Sequence, residues 1–118
     1  MKYMKDLKES LTVENKIQRI SGMLGFARRA GKTVIGTEMV CRMMPKKGCI
    51  KLVVISSGAS DSTKKKLTVK CEFYRIPSVV AEIDTVSLAS LLGKTGAVAA
   101  VAVTDDGFAQ EIKKATVI

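Results

Sequence analysis

Lys51 to Ser57, KLVVISS, is a nearly uninterrupted β-branched and aliphatic run, and a strand without polar alternation has to be covered on both faces. Ala97 to Thr104, AVAAVAVT, has the same character in smaller residues. A sheet holding two such strands needs helices above and below it, and the rest of the chain alternates accordingly. Ile17, Ile20, Leu24 and Ala27 recur at three and four residues, which predicts a helix from about Val13 to Ala30 with Arg19, Arg28 and Arg29 off its apolar face. Thr33-Val34-Ile35 is a short strand candidate. A second helix follows with Thr37 as N-cap and Glu38 in its first turn, closed near Met44 by Pro45. Gly58 to Ser62 is turn chemistry, and Thr63 to Tyr74 reads as a third helix that turns Leu67, Val69, Cys71 and Tyr74 inward, barred from continuing by Pro77. Ser78 to Ile83 is a strand and Val86 to Leu92 a short helix. Asp105-Asp106-Gly107 opens a last helix whose carboxylates face its positive end and whose Lys113 and Lys114 face its negative end.

The expected fold is therefore α/β, a single-domain three-layer α/β/α sandwich around a small mixed sheet of about four strands. Residues 13–118 form the domain, and 1–12 an N-terminal arm or extra turn. At 118 residues one core suffices without disulfides. Cys41, Cys49 and Cys71 are odd in number and lack C-x-x-C spacing, and the chain has no histidine. No metal or cofactor is expected, and a reducing, cytoplasmic location fits. No apolar run reaches the roughly 18 residues of a membrane span, so no membrane partner is expected.

Charge narrows the function further. The chain carries 20 basic and 11 acidic residues, a net +9, and the excess is uneven. Through Arg75 there are 17 basic and 6 acidic residues; from Ile76 onward there are 3 and 5. A strongly positive side favours a polyanion, and nucleic acid is the usual one. With three Phe, two Tyr and no Trp, recognition of single strands by base stacking is disfavoured against structured RNA.

One stretch admits a different chemistry. Gly31-Lys32-Thr33 ends like the phosphate loop G-x-x-x-x-G-K-[ST], which would imply a nucleotide-binding enzyme. That loop has four residues between its glycines, whereas five separate Gly25 from Gly31 here, and Phe26-Ala27-Arg28-Arg29-Ala30 are helix formers. A helix stopped at Gly31 by a left-handed cap is the better reading. Cys41 has no histidine to activate it as a nucleophile and reads as a small buried apolar residue. Asp105 and Asp106 read as first-turn carboxylates rather than as cation ligands. No catalytic residue is assigned, and no small-molecule substrate.

Several segments together resemble the kink-turn RNA-binding ribosomal proteins, the L-seven-Ae/L-thirty-e family, and within it a small bacterial YlxQ-type branch. They are LGFARRAGK at Leu24 to Lys32, Gly36-Thr37, KLVVISS followed by ASDSTKKKL, CEFYRIP at Cys71 to Pro77, Gly93-Lys94, and VAVTDDGFA at Val101 to Ala109. Their order and spacing agree over about four-fifths of the chain. The resemblance implies a compact α/β/α sandwich that binds sharply bent RNA through the start of its second helix and the loop before its last strand. Laid on the family pattern G-T-N-E-x-x-K, this chain offers Gly36, Thr37, Glu38, Met39 and Arg42. Gly36 and Thr37 match and suit close approach of backbone to phosphate. Arg42 stands in place of Lys, and its fork suits guanine O6 and N7.

The departures have chemical consequences. Glu38 replaces an amide that both donates and accepts, so it offers acceptors and a negative charge. Met39 replaces Glu and offers apolar contact. Ser87-Leu88-Ala89 stands where relatives start the fourth helix with E-L-G. Candidate RNA contacts beyond the second helix are Arg28, Arg29, Gly31 and Lys32; Lys64 and Lys65 at the start of the third; and the loop Gly93, Lys94, Thr95, Gly96 and Ala97.

The function expected from residues and resemblance together is a non-catalytic, monomeric protein that binds structured RNA, bent or bulged, with the ribosome as one candidate place. Its rivals are a protein-interaction module using the Met-rich second helix (Met39, Met43, Met44) and the loop near Gly96, and a nucleotide-binding enzyme.

Overall fold

The computed structural model describes residues 13–116; the expected arm at 1–12 lies outside them. Helix α1 (Val13–Arg29) is followed by β1 (Thr33–Ile35), α2 (Thr37–Met43), β2 (Leu52–Ser56), α3 (Asp61–Tyr74), β3 (Ser78–Ala81), α4 (Thr85–Leu91), β4 (Ala100–Val103) and α5 (Asp106–Thr116). The four strands form one sheet in the order β1-β4-β2-β3. β4 is antiparallel to both neighbours, and β2 and β3 are parallel.

Strand periodicity sorts the core into two layers. Leu52, Val54, Val101 and Val103 face one side, against Ile20 and Leu24 of α1, Leu88 and Ala89 of α4, and Ala109 and Ile112 of α5. Val53, Ile55, Ala100 and Ala102 face the other, against Val40 of α2 and Leu67 and Cys71 of α3, with Met44 just beyond α2. Every residue of β2 and of β4 is buried, which is why both read as unbroken apolar runs. This is the expected three-layer sandwich with a mixed four-stranded sheet.

Register fixes which loops meet. Ile35 pairs with Val101, Ile55 with Ala100, and Ser56 with Ala81. The ends of β1, β2 and β3 and the start of β4 therefore share one edge of the sheet, with the starts of α2, α3 and α4 and the loop 93–99. Gly31, Lys51, Pro77 and Thr104 lie towards the opposite edge. Ser56 braces the first edge: its Oγ donates to the Ile83 carbonyl at 2.5 Å and accepts from Gly58 N–H at 3.0 Å.

Three helices end in one motif. At α1, Lys32 N–H bonds Ala27 O at 2.8 Å and Gly31 N–H bonds Arg28 O at 3.1 Å, with Gly31 left-handed at φ 72°. At α4, Lys94 N–H bonds Ala89 O and Gly93 N–H bonds Ser90 O, with Gly93 at φ 71°. Paired closures of this kind satisfy the orphan carbonyls of a helix end. At α3 the bonds are Ile76 N–H to Cys71 O and Arg75 N–H to Glu72 O. There the left-handed residue is Arg75, at φ 58°, rather than a glycine.

Some details differ from expectation. Gly36, not Thr37, caps α2; it sits at φ 98° and ψ 144°, without a side-chain cap bond, a conformation that glycine alone adopts freely. Val69 points outward, 54% exposed. An inward position at 69 fails because Leu67 and Cys71, four residues apart, define the buried face, and 69 lies on its far side. β3 ends at Ala81 and β4 starts at Ala100, both shorter than expected. Ala97 is exposed, and Val98 N–H bonds Thr85 O outside the sheet. Cys41 is half-buried against the second core layer rather than enclosed.

Candidate nucleic-acid interface

The outer flank of β1, an edge strand, forms the floor of an open groove of about 380 Å³, lined by Arg28, Gly31, Thr33, Val34, Ile35, Met39 and Lys94. Three separate elements build it. α1 brings Arg28, α2 brings Met39, and the segment after α4 brings Lys94.

Arg28 is held in place. Its Nε donates to the Leu92 carbonyl at 3.0 Å, and a guanidinium nitrogen lies 3.7 Å from where a Cβ on Gly93 would stand. The side chain thus ties α1 to the start of the loop 93–99. Met39 follows from the phase of α2: Glu38, Met39 and Arg42 are exposed while Val40 is buried. Arg42 reaches back along the helix, its guanidinium 3.8 Å from the Met39 sulfur. α2 has only seven residues, so its contribution is the position of these side chains rather than the field of a long helix.

The expected residues fall into three groups. Arg28, Gly31, Met39 and Lys94 share the groove, and Arg42 touches its Met39 wall. Gly36, Thr37 and Glu38 continue from β1 into α2 at the same end, and exposed Thr95, Gly96 and Ala97 form the loop that Gly36 N–H approaches through its 2.9 Å bond to Ala100 O. Arg29, Lys32, Lys64 and Lys65 do not line the groove. Arg29 stacks over the exposed ring of Phe26 with 4.9 Å to the centroid, an arrangement favourable for a guanidinium. α3 begins at Asp61 rather than Thr63, capped by Ser60, whose Oγ accepts from Thr63 N–H at 3.2 Å, so Lys64 and Lys65 come after its first three residues rather than at its start.

Thr33, Val34 and Ile35 were not among the expected site residues. A three-residue apolar strand has no sequence mark of being an edge, since that depends on its pairing only with β4. The change to Ser87-Leu88-Ala89 leaves α4 well seated. Leu88 and Ala89 are buried, and Asp84 accepts from Ser87 N–H at 2.7 Å and from its hydroxyl at 2.9 Å. These bonds to the charged form hold the Asp84 carboxyl below its ordinary range.

The alternative chemistries lose their geometry. The Gly31 and Lys32 amides are spent closing α1 and are not turned towards a phosphate. Of Met39, Met43 and Met44, Met44 is buried and Met43 half-buried, so the three do not form one exposed face on α2. Asp105 caps α5 by accepting from Phe108 N–H at 3.0 Å, and Asp106 lies 3.9 Å from Lys51. Among the described residues no helix is long and apolar enough to cross a membrane.

Comparison with known proteins agrees with this architecture. A model of the ribosomal protein L7Ae/L30e/S12e/Gadd45 family matches residues 18–113. The RNA-binding protein YlxQ of Bacillus subtilis is 40% identical over 90 residues, covering 76% of this chain and 87% of that protein. The large ribosomal subunit protein eL30 of Sulfolobus acidocaldarius is 28% identical, covering 82% of this chain and 98% of its own. A solved structure of a protein of unknown function from Bacillus halodurans C superposes with a TM-score of 0.75 at 33% identity, covering 82% of this chain and 95% of that one. A Giardia lamblia 15.5kD RNA binding protein superposes at 0.71 over 86% of this chain and 84% of its own. At 13% identity that second likeness is one of fold. Matched along most of its length and over both layers of its core, the chain belongs to the ribosomal protein L7Ae/L30e/S12e/Gadd45 family.

Proposed function

We propose that this chain is a non-catalytic RNA-binding protein that works as a monomer in the cytoplasm and grips a bent or bulged RNA along the β1 groove. The observation that carries the reading is the convergence of Arg28, Met39 and Lys94, from three elements, on one open groove. Lys94 and Arg42 supply charge for phosphates, and Arg42 has the fork to read a guanine edge. Met39 and Ile35 offer apolar surface to an unstacked base, and the exposed loop 95–97 closes the end near Gly36. A continuous duplex presents neither a splayed base nor a sharp backbone turn, so a kinked RNA fits this surface better. The relatives named for RNA binding and for the large ribosomal subunit support the ligand class.

The test compares a kink-turn RNA with a straightened duplex of the same composition, using wild type, Arg42→Ala and Lys94→Ala. Wild type should prefer the kinked RNA at least tenfold, and each variant should narrow that preference. Binding should weaken steeply between about 50 and 200 mM salt. Equal affinity for the two RNAs overturns the preference for bent RNA; no salt-sensitive binding to either overturns RNA as the ligand.

A further inference from the structure

The opposite edge of the sheet carries a second cationic cleft that the β1 groove does not use. It has a volume of about 350 Å³ and lies between the segment after α2 and the end of α3. Buried Met44 and Ile50 and half-buried Tyr74 line it, and Lys46, Lys47 and Arg75 stand exposed around it. We propose that this cleft is a second RNA contact, taking the sugar-phosphate backbone of an RNA arm that flanks the segment held in the β1 groove.

The simplest other role for cations at this place is to neutralise the carbonyl ends of α2 and α3. The backbone already does that work. Met44 N–H bonds Val40 O, Lys46 N–H bonds Met43 O, and Ile76 and Arg75 N–H take Cys71 O and Glu72 O. Nor are the three charges balanced by carboxylates: the ion pairs among the described residues are Lys51 with Asp106 and Lys114 with Glu111. Glu72, on the preceding turn of α3, is exposed and pairs with none of them. Three like charges around one cleft repel one another unless an anion sits among them. Arg75 adds a further sign, since it occupies the left-handed position where α1 and α4 place glycine. A strained long cation at that point projects from the turn, whereas a glycine would project nothing.

Continuity favours an extended polyanion over a small one. Arg42, against the Met39 wall of the groove, lies four residues before Lys46 at the cleft, so the cations follow one another along the end of α2 and the segment after it. One RNA with a bend and a flanking helix can touch both, and phosphate contacts of this kind position an RNA without reading its sequence. The inference rests on the proposed RNA-binding function, and its experiment separates the two.

The experiment uses three RNAs, a kink-turn with short arms and two versions of it in which one or the other arm is lengthened by roughly ten base pairs, about one turn. The proteins are wild type, Lys46→Gln/Lys47→Gln, and Arg42→Ala, full length, with melting curves confirming the fold. Wild type should bind one lengthened RNA about tenfold more tightly than the short one. The Lys46→Gln/Lys47→Gln protein should lose that gain, match wild type on the short RNA, and show a log-log salt slope on the long RNA shallower by about 1.4 to 1.8. Arg42→Ala should weaken binding to all three RNAs and keep the gain. No gain for wild type on either arm, or a gain that survives the double lysine change, overturns the second contact and leaves the β1 groove standing. Loss of the gain without any effect of Arg42→Ala overturns the groove assignment instead. Lys46 and Lys47 amide resonances that respond to an oligoglutamate peptide but not to the long RNA also overturn the proposal, by assigning the cleft to an acidic protein segment.

Discussion

Arg28 Nε donates a 3.0 Å hydrogen bond to the carbonyl of Leu92, 64 residues away in sequence. One end of that bond is in the last turn of α1 and the other at the end of α4, immediately before Gly93 and Lys94. Arg28 therefore sets where Lys94 stands against the β1 groove, besides lining the groove itself. Arg28→Ala should lower stability by about 1 kcal/mol, a melting-temperature fall of roughly 3–5 °C for a domain of this size. Arg28→Lys separates charge from position. If it restores the melting temperature and RNA affinity together, charge alone suffices and the bond to Leu92 is incidental.

Ser56 is a buried polar residue that closes a strand end. Removing its hydroxyl strands the Ile83 carbonyl and the Gly58 amide, and an unsatisfied buried group costs about 1–3 kcal/mol. Ser56→Ala should lower the unfolding free energy by that amount, read as a lower urea midpoint with an unchanged slope. A shift within error would mean that water replaces the hydroxyl.

Asp84 caps α4 through two bonds from Ser87, which depress its pKa. Because the folded value lies below the unfolded one, the contribution to stability is present above the unfolded pKa, near 4, and is lost as pH falls through the folded value. The stability difference between wild type and Asp84→Ala should therefore shrink on acidification. Chemical-shift titration should find the Asp84 carboxyl below the ordinary aspartate range, and Ser87→Ala should raise it.

Burial raises the Cys71 thiol to about 11, partly opposed by a hydrogen bond with Ser78. It should react with Ellman's reagent at pH 8 only as fast as the protein opens. The sign of the linked effect is the reverse of Asp84: the unfolded thiol ionises first, so stability should fall as pH rises from about 9 towards about 11. Cys71→Val should remove that slope, and a slope that persists would point to another group.

Arg75 holds a left-handed conformation that glycine adopts without cost. Arg75→Gly should raise stability by about 0.5–1 kcal/mol, read as a higher melting temperature, while weakening the lengthened RNA at the second cleft. A stabilised protein with undiminished affinity for that RNA would separate Arg75 from binding.

The elements were legible because their signals are local. The unbroken apolar runs of β2 and β4 required cover on both faces, and the spacing of Ile20, Leu24 and Ala27 placed α1 within one residue of its observed end. Gly31 was readable as a stop, and the same logic missed Arg75 because a left-handed arginine is held by its context, the paired bonds of Ile76 and Arg75 to the end of α3. Val69 was misplaced because α3 buries a narrow stripe beneath a mostly polar helix, where one apolar residue off the stripe looks like any other.

The sequence by itself determined the layers, the excess of positive charge and the helix stops, all of which depend on residue type and short spacing. Only the tertiary structure decided which positive charges work together. Arg28 and Arg29 are neighbours in the chain, yet one bonds the Leu92 carbonyl at the end of α4 and the other stacks on Phe26. Lys32 and Lys94 both follow a left-handed glycine, but only Lys94 reaches the groove. That choice follows from strand order and register, which bring loops 60 residues apart to one edge and leave adjacent side chains on different faces.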